Sequence, residues 1–204
     1  MVNSIEDSMR LQKNLDAVYE WCVRNRLLLN ISKCNVMTYA RKMNPLCTVY
    51  KINGSMLEKP DSIRDLGVTF NSKLSFNVHI DLVAQSAFKS LGFIMRNSRE
   101  ISDADTLKTL YVTYVRSRLE YSSLVWSLIY NNHISTLERV QRRFLKAVAC
   151  SVDGVYPPRG YPQELLLERF NLVLLVSRRV EHSIIFLYKV LHNLYDCPYI
   201  LYFF

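Results

Sequence analysis

Near residue 76 the hydrophobic pattern changes period, and that change limits the chain to a fold with a sheet-bearing start and a helical remainder. Before it, Cys34-Asn35-Val36-Met37-Thr38-Tyr39-Ala40 alternates and is enriched in Val, Thr and Tyr, which predicts a strand. A second strand, Cys47 to Ile52, runs into Asn53-Gly54, a strong hairpin signal, with Met56-Leu57 returning from the turn. Ile63 to Phe70 predicts one further strand. After Phe76 the period is 3.6. Ile80, Val83, Ala87, Leu91 and Ile94 form one stripe. Leu107, Leu110, Tyr114 and Val115 form the inward face of a helix capped by Ser102 and ending near Leu119, and Ile134, Leu137, Val140, Phe144 and Val148 form a third stripe. Gly154, Pro157, Pro158, Gly160 and Pro162 punctuate a loop. A short helix at Glu164–Phe170 and a long one from about Leu172 to Leu194 follow. Ahead of the strands, Ser4 to Asp7 predicts a capping box, and Leu11, Leu15, Val18 and Cys22 share one helix face. The class is α+β: a small antiparallel sheet or hairpin followed by a mostly α-helical bundle.

Half of the 204 residues are hydrophobic and only 5 are Gly and 6 Pro, so a packed core is expected and wholesale disorder is not. With 26 Lys+Arg against 18 Asp+Glu, the formal charge is +8, which suits a polyanionic partner. The five cysteines, Cys22, Cys34, Cys47, Cys150 and Cys197, include no CxxC pair, and no signal peptide opens the chain; reduced thiols in a nuclear or cytoplasmic protein are expected. His79, His133 and His182 have no Cys or His at ligand spacing, so no zinc site is expected. The apolar stretch Ser183 to Phe204 is interrupted by Lys189, His192, Asp196 and Pro198, which a membrane span does not tolerate. It predicts a core helix, or one whose partner is missing.

The acids do not converge by spacing. Asp103-x-Asp105 is the only Asp-x-Asp, and it lies in the first turn of a helix, where acids complement the dipole. No Gly-rich phosphate loop and no Gly-x-Ser-x-Gly elbow is present. On these residues the chain has no catalytic site and no metal site. Arg139, Arg142, Arg143 and Lys146 repeat at i, i+3, i+4 and i+7 beside the stripe through Val140 and Phe144. Such a row either tracks phosphates or is the solvated face of an amphipathic helix. Tyr111, Tyr114, Tyr121 and Trp126 either stack bases or fill the core; their coincidence with the leucine stripe favours the core.

Trp21-Cys22, Asn25, Leu27-Leu28-Leu29-Asn30, Lys33-Cys34, Leu66-Gly67-Val68-Thr69-Phe70 and Leu74-Ser75-Phe76 together resemble a segment of non-LTR (LINE-type) reverse transcriptases. The segment is the one just after the catalytic aspartate pair, and the likeness is greatest to the jockey-type elements of insects. Leu91-Gly92-Phe93-Ile94 and Tyr121-Ser122-Ser123-Leu124-Val125-Trp126 are similar to the same elements. The resemblance implies that residues 1–75 are the last part of a polymerase palm, 76–150 a helical thumb-like region, and 151–204 the loop and helices that follow. The family's aromatic-x-Asp-Asp box would lie upstream of residue 1, and nothing here supplies it. The parent family uses Mg²⁺; this chain is expected to bind no cofactor and to be inactive alone.

The family also implies site residues. Lys33 corresponds to a lysine near the incoming triphosphate; local grounds alone favour an ordinary solvated lysine before a strand. Leu66 and Gly67 correspond to the primer-grip hairpin, with a strand bulge or a tight packing contact as the local reading of the glycine. The expected partner is RNA or RNA–DNA duplex, bound weakly and without sequence preference. Self-association through an apolar face that the missing palm would cover is also expected. The other function class left open is a non-enzymatic helical interaction module derived from a mobile element.

Overall fold

The computed structural model describes residue 2 and residues 4–39, 48–126 and 130–196. Ala40 and Cys47, at the ends of two expected strands, lie outside the described residues, as do Cys197 and the rest of the terminal apolar stretch. Contacts divide the chain into two compact units, Met1–Phe76 and Asn77–Phe204.

In the first unit α1 spans Ile5–Arg24. Its start is the expected capping box: the Ser4 hydroxyl accepts the Asp7 N–H, and the Asp7 carboxylate accepts the Ser4 N–H. The covered face is rotated from the expected one. Ser8, Gln12, Leu15, Tyr19 and Cys22 are buried or half-buried, whereas Leu11 and Val18 are exposed. The reason is polar. The Gln12 amide accepts the N–H of Lys51 (3.0 Å) and donates to its carbonyl (2.8 Å), as a neighbouring strand would, and the Ser8 hydroxyl donates to the Tyr50 hydroxyl. Ile5, Met9, Val18 and Trp21 are left in solvent.

Two hairpins replace the single small sheet expected from residues 34–70. β1 (Lys51–Ile52) pairs with β2 (Ser55–Met56), and β3 (Ser62–Asp65) pairs with β4 (Val68–Asn71), both antiparallel. Asn53 and Gly54 have φ of 50° and 76°, the positive pair of a type I′ turn. Leu66 and Gly67 repeat it with 44° and 85°, so the expected strand Ile63–Phe70 is a hairpin folded at those two residues. Among the described residues the expected strand from Cys34 is reduced to one bridge, Asn35 to Glu58, after a 3₁₀ turn at Ile31–Lys33.

The second unit is helical. α2 (Asn77–Asn97) buries Ile80, Ala84, Ala87, Leu91 and Ile94. α3 (Ala104–Tyr111) continues without a break through a π turn, Val112–Arg116, into α4 (Ser117–Glu120). The cap is Asp103 and not Ser102: its carboxylate accepts the Thr106 N–H at 2.8 Å, and hydrogen bonding from the Thr106 side chain, then from its backbone, holds the carboxyl below its usual range. The π turn advances the helix by one extra residue. In consequence Tyr111, Val115 and Leu119 face the core, and Tyr114, expected inside, is 55% exposed.

α5 (Asn131–Asp153), α6 (Gln163–Arg169) and α7 (Leu175–Leu191) complete the unit. α5 packs against α2, α3, α6 and α7 and buries Leu137, Val140, Phe144, Leu145 and Val148. Phe144 stacks on Tyr111, ring centroids 4.0 Å apart and planes 9° from parallel. The Tyr111 hydroxyl donates to Oε1 of the wholly buried Gln141, whose Nε2 donates to the carbonyl of Val173. Glu138 reaches from α5 to accept the Val176 N–H at 2.9 Å and so caps α7 from outside. Glu120 takes a two-pronged contact from Arg178, joining α4 to α7.

Candidate nucleic-acid interface

Each unit carries part of the expected site. In the first, Lys33 ends the 3₁₀ turn; Ser32 steadies that turn by donating to Asn30 Oδ1 at 2.6 Å, and the Lys33 side chain is exposed. Leu66 and Gly67 form the tip of the β3–β4 hairpin rather than a strand bulge. Leu66 is unusual: a bulky residue at positive φ with its side chain 83% exposed. Such a backbone costs on the order of 1 kcal/mol, and the exposed side chain recovers no core burial in return.

In the second unit α5 fixes all four expected cations on one helix, with its other side held in the core. They are not equivalent. Arg142 donates through Nε to Gln163 Oε1 at 2.7 Å, tying α6 to α5. Lys146 donates to the Pro158 carbonyl at 2.7 Å and lies 5.9 Å from the Tyr156 ring centroid, tying down the loop. Arg139 and Arg143 are exposed, and no hydrogen bond or ion pair holds either among the described residues. The spacing in the sequence could not separate these roles, because Gln163 and Pro158 return to α5 only through the fold. Arg178 is half-buried and pairs with Glu120, and Arg179 is buried against Trp126. Arg179 is the residue that sequence reasoning most underrated, since its burial leaves no trace in a local pattern.

Of the four aromatics, Tyr111 and Trp126 are wholly buried and belong to the core, whereas Tyr114 and Tyr121 are exposed. Trp126 donates its indole N–H to the Tyr121 carbonyl at 2.9 Å. Asp103 is committed to its cap, and among the described residues no three His, Cys, Asp or Glu side chains gather as metal ligands would. Cys22, Cys34 and Cys150 are free thiols. No described helix is long and apolar enough to cross a membrane.

Against known proteins, no family model matches the chain, and no solved structure does. Curated relatives do match. The chain is 26% identical over 149 residues to the RNA-directed DNA polymerase from mobile element jockey of Drosophila funebris, covering 71% of this chain and 16% of that protein. It is 25% identical over 144 residues to the Drosophila melanogaster protein of the same description, covering 68% and 15%. A probable RNA-directed DNA polymerase from transposon BS of Drosophila melanogaster matches at 22% over 158 residues, covering 76% and 17%. The chain is thus related to the RNA-directed DNA polymerases of these non-LTR mobile elements and spans about a sixth of the length of the relatives it matches.

Proposed function

We propose that the chain is a palm-end and thumb-like segment of a mobile-element reverse transcriptase that contacts primer–template and carries no catalytic carboxylates of its own. The observation that carries the reading is α5: in a chain similar to these polymerases, a helix anchored in the core offers Arg139 and Arg143, uncommitted, to solvent. Two such cations can neutralise backbone phosphates whatever the bases, while Arg142 and Lys146 are held by Gln163 and Pro158. Lys33 and the Leu66–Gly67 tip are proposed to contact nucleic acid from the first unit. The expected ligand is RNA or RNA–DNA duplex in an intracellular setting, nuclear or cytoplasmic, and no Mg²⁺ is held by this chain.

The double variant Arg139→Gln/Arg143→Gln should flatten the dependence of log affinity on log salt by about 0.9 for each lost phosphate contact, up to roughly two units. A charge-matched control, Lys13→Gln/Arg24→Gln on exposed positions of α1, should change the slope less. The measurement is anisotropy with a labelled RNA–DNA duplex across a salt series. An unchanged slope with binding intact would reduce the row to a solvated face and favour the helical interaction module.

Self-association is proposed as well. Ile5, Met9, Val18 and Trp21 leave α1 with apolar surface that water disfavours. Light scattering should then show species larger than one chain at roughly tens of micromolar. A clean monomer there would exclude it.

A further inference from the structure

Residues 154–162 lead from α5 to α6, and the loop they form is pinned at both ends and in the middle. Asp153, the last residue of α5, takes both prongs of Arg169, the last of α6, at 2.6 and 2.7 Å. Lys146 donates to the Pro158 carbonyl and Arg142 to Gln163 Oε1, each at 2.7 Å. Two of these pins are cations of the α5 row. The loop therefore gives up its conformational freedom on folding, before any ligand arrives.

What the pinned loop displays is an aromatic ring. Tyr156 is 56% exposed, and Pro157 after it confines its backbone to extended conformations. The Lys146 ammonium lies 5.9 Å from the ring centroid, so a tethered cation stands against the ring. The surroundings carry one sign of charge. From Arg139 to Pro162 the chain holds Arg139, Arg142, Arg143, Lys146 and Arg159 against one acid, Asp153, and Arg169 already engages that acid.

A flat ring fixed among cations suits single-stranded nucleic acid: a base stacks on the ring while the neighbouring phosphate meets a cation. Inside a duplex each base is already stacked on its neighbours, so only an unpaired base offers its face. An acidic peptide would use the cations and leave the ring without a planar partner. We propose that Tyr156 stacks on an unpaired nucleobase, of RNA or DNA, in a strand whose phosphates run along the Lys146 end of the α5 row. The inference rests on α5 as a phosphate-contacting helix and adds a preference for single strand, which phosphate contacts cannot supply.

The test uses the full 204-residue chain and two fluorescein-labelled strands of about 12 nucleotides, oligothymidine and an abasic strand of equal length and charge. Anisotropy should show the oligothymidine bound at least about fivefold more tightly, the low end for one stacked base. Tyr156→Ala should erase that preference and leave the dependence on salt unchanged, since no cation is lost. Tyr156→Phe, which keeps the ring, should retain it. Tyr156→Trp should retain it too and show indole fluorescence quenched by oligothymidine but not by the abasic strand; this variant carries the test even where Tyr156→Ala fails to fold. Tyr114→Ala, at a tyrosine as exposed but with no cation against its ring among the described residues, should leave the preference intact. Equal affinity for the two strands, no binding of either, or a preference that survives Tyr156→Ala would overturn the proposal. Displacement of oligothymidine by polyglutamate as effectively as by unlabelled oligothymidine would assign the face to acidic protein and overturn it too. Failure of the α5 reading shows separately, as a salt slope that Arg139→Gln/Arg143→Gln leaves unchanged.

Discussion

Phe144→Ala should destabilise the helical unit by about 3–5 kcal/mol, seen in urea as a lower midpoint at an unchanged slope. The residue is 1% exposed, and its ring lies flat on Tyr111 at 4.0 Å between centroids. Truncation removes the apolar transfer term, opens a cavity against Tyr111, and deletes a stacked pair itself worth about 0.5–1.5 kcal/mol. Set against a typical total of about 5–15 kcal/mol, the loss is a large fraction of the stability. Phe144→Leu should cost markedly less, since most of the volume is kept. A loss under about 1.5 kcal/mol for the alanine variant would mean that neighbouring helices collapse into the space.

Glu120→Ala should be the most damaging change to the polar framework, at about 2–3 kcal/mol. Its two oxygens meet the Arg178 fork, and Arg116 Nε of the π turn lies 3.8 Å from Oε2. Relative side-chain exposures of 13% for Glu120, 23% for Arg178 and 17% for Arg116 put the cluster between two regimes. A fully buried pair broken on one side costs about 3–5 kcal/mol, and an exposed pair is worth about 0–1. Removing the carboxylate also leaves two guanidinium groups facing each other. A double-mutant cycle with Arg178→Met should return a coupling above about 1 kcal/mol; a value below about 0.5 would rank the contact with surface pairs.

What was legible in the sequence was what is decided within a few residues. The Ser4–Asp7 box and the Asn53-Gly54 turn are local chemistry, and the α5 stripe through Val140 and Phe144 is a regular period. The hairpin at Leu66-Gly67 was hidden because leucine rarely adopts positive φ, so Ile63–Phe70 reads as one strand. Tyr114 was placed inside by counting in steps of 3.6, a count that the π turn at Val112–Arg116 breaks. The Cys34 strand fails because alternation cannot supply a pairing partner, and only Glu58 bridges to it among the described residues. In the candidate site the four cations of α5 were visible as a row, yet their division into two anchored and two free depends on Gln163 and Pro158 folding back. The burial of Arg179 had no local signature at all.

Gln141 has a consequence for how many ways the helices can settle. Aliphatic ridges tolerate sliding, so an all-apolar α5 could shift by a turn against α3 and α7 at modest loss. The amide of Gln141 removes that freedom, because among the described residues its oxygen is matched to the Tyr111 hydroxyl and its nitrogen to the Val173 carbonyl. A slipped packing would strand those polar groups in the dry interior, each at about 1–3 kcal/mol. One planar group thus acts as a key, raising competing arrangements above the native one and leaving a single way for three segments to close.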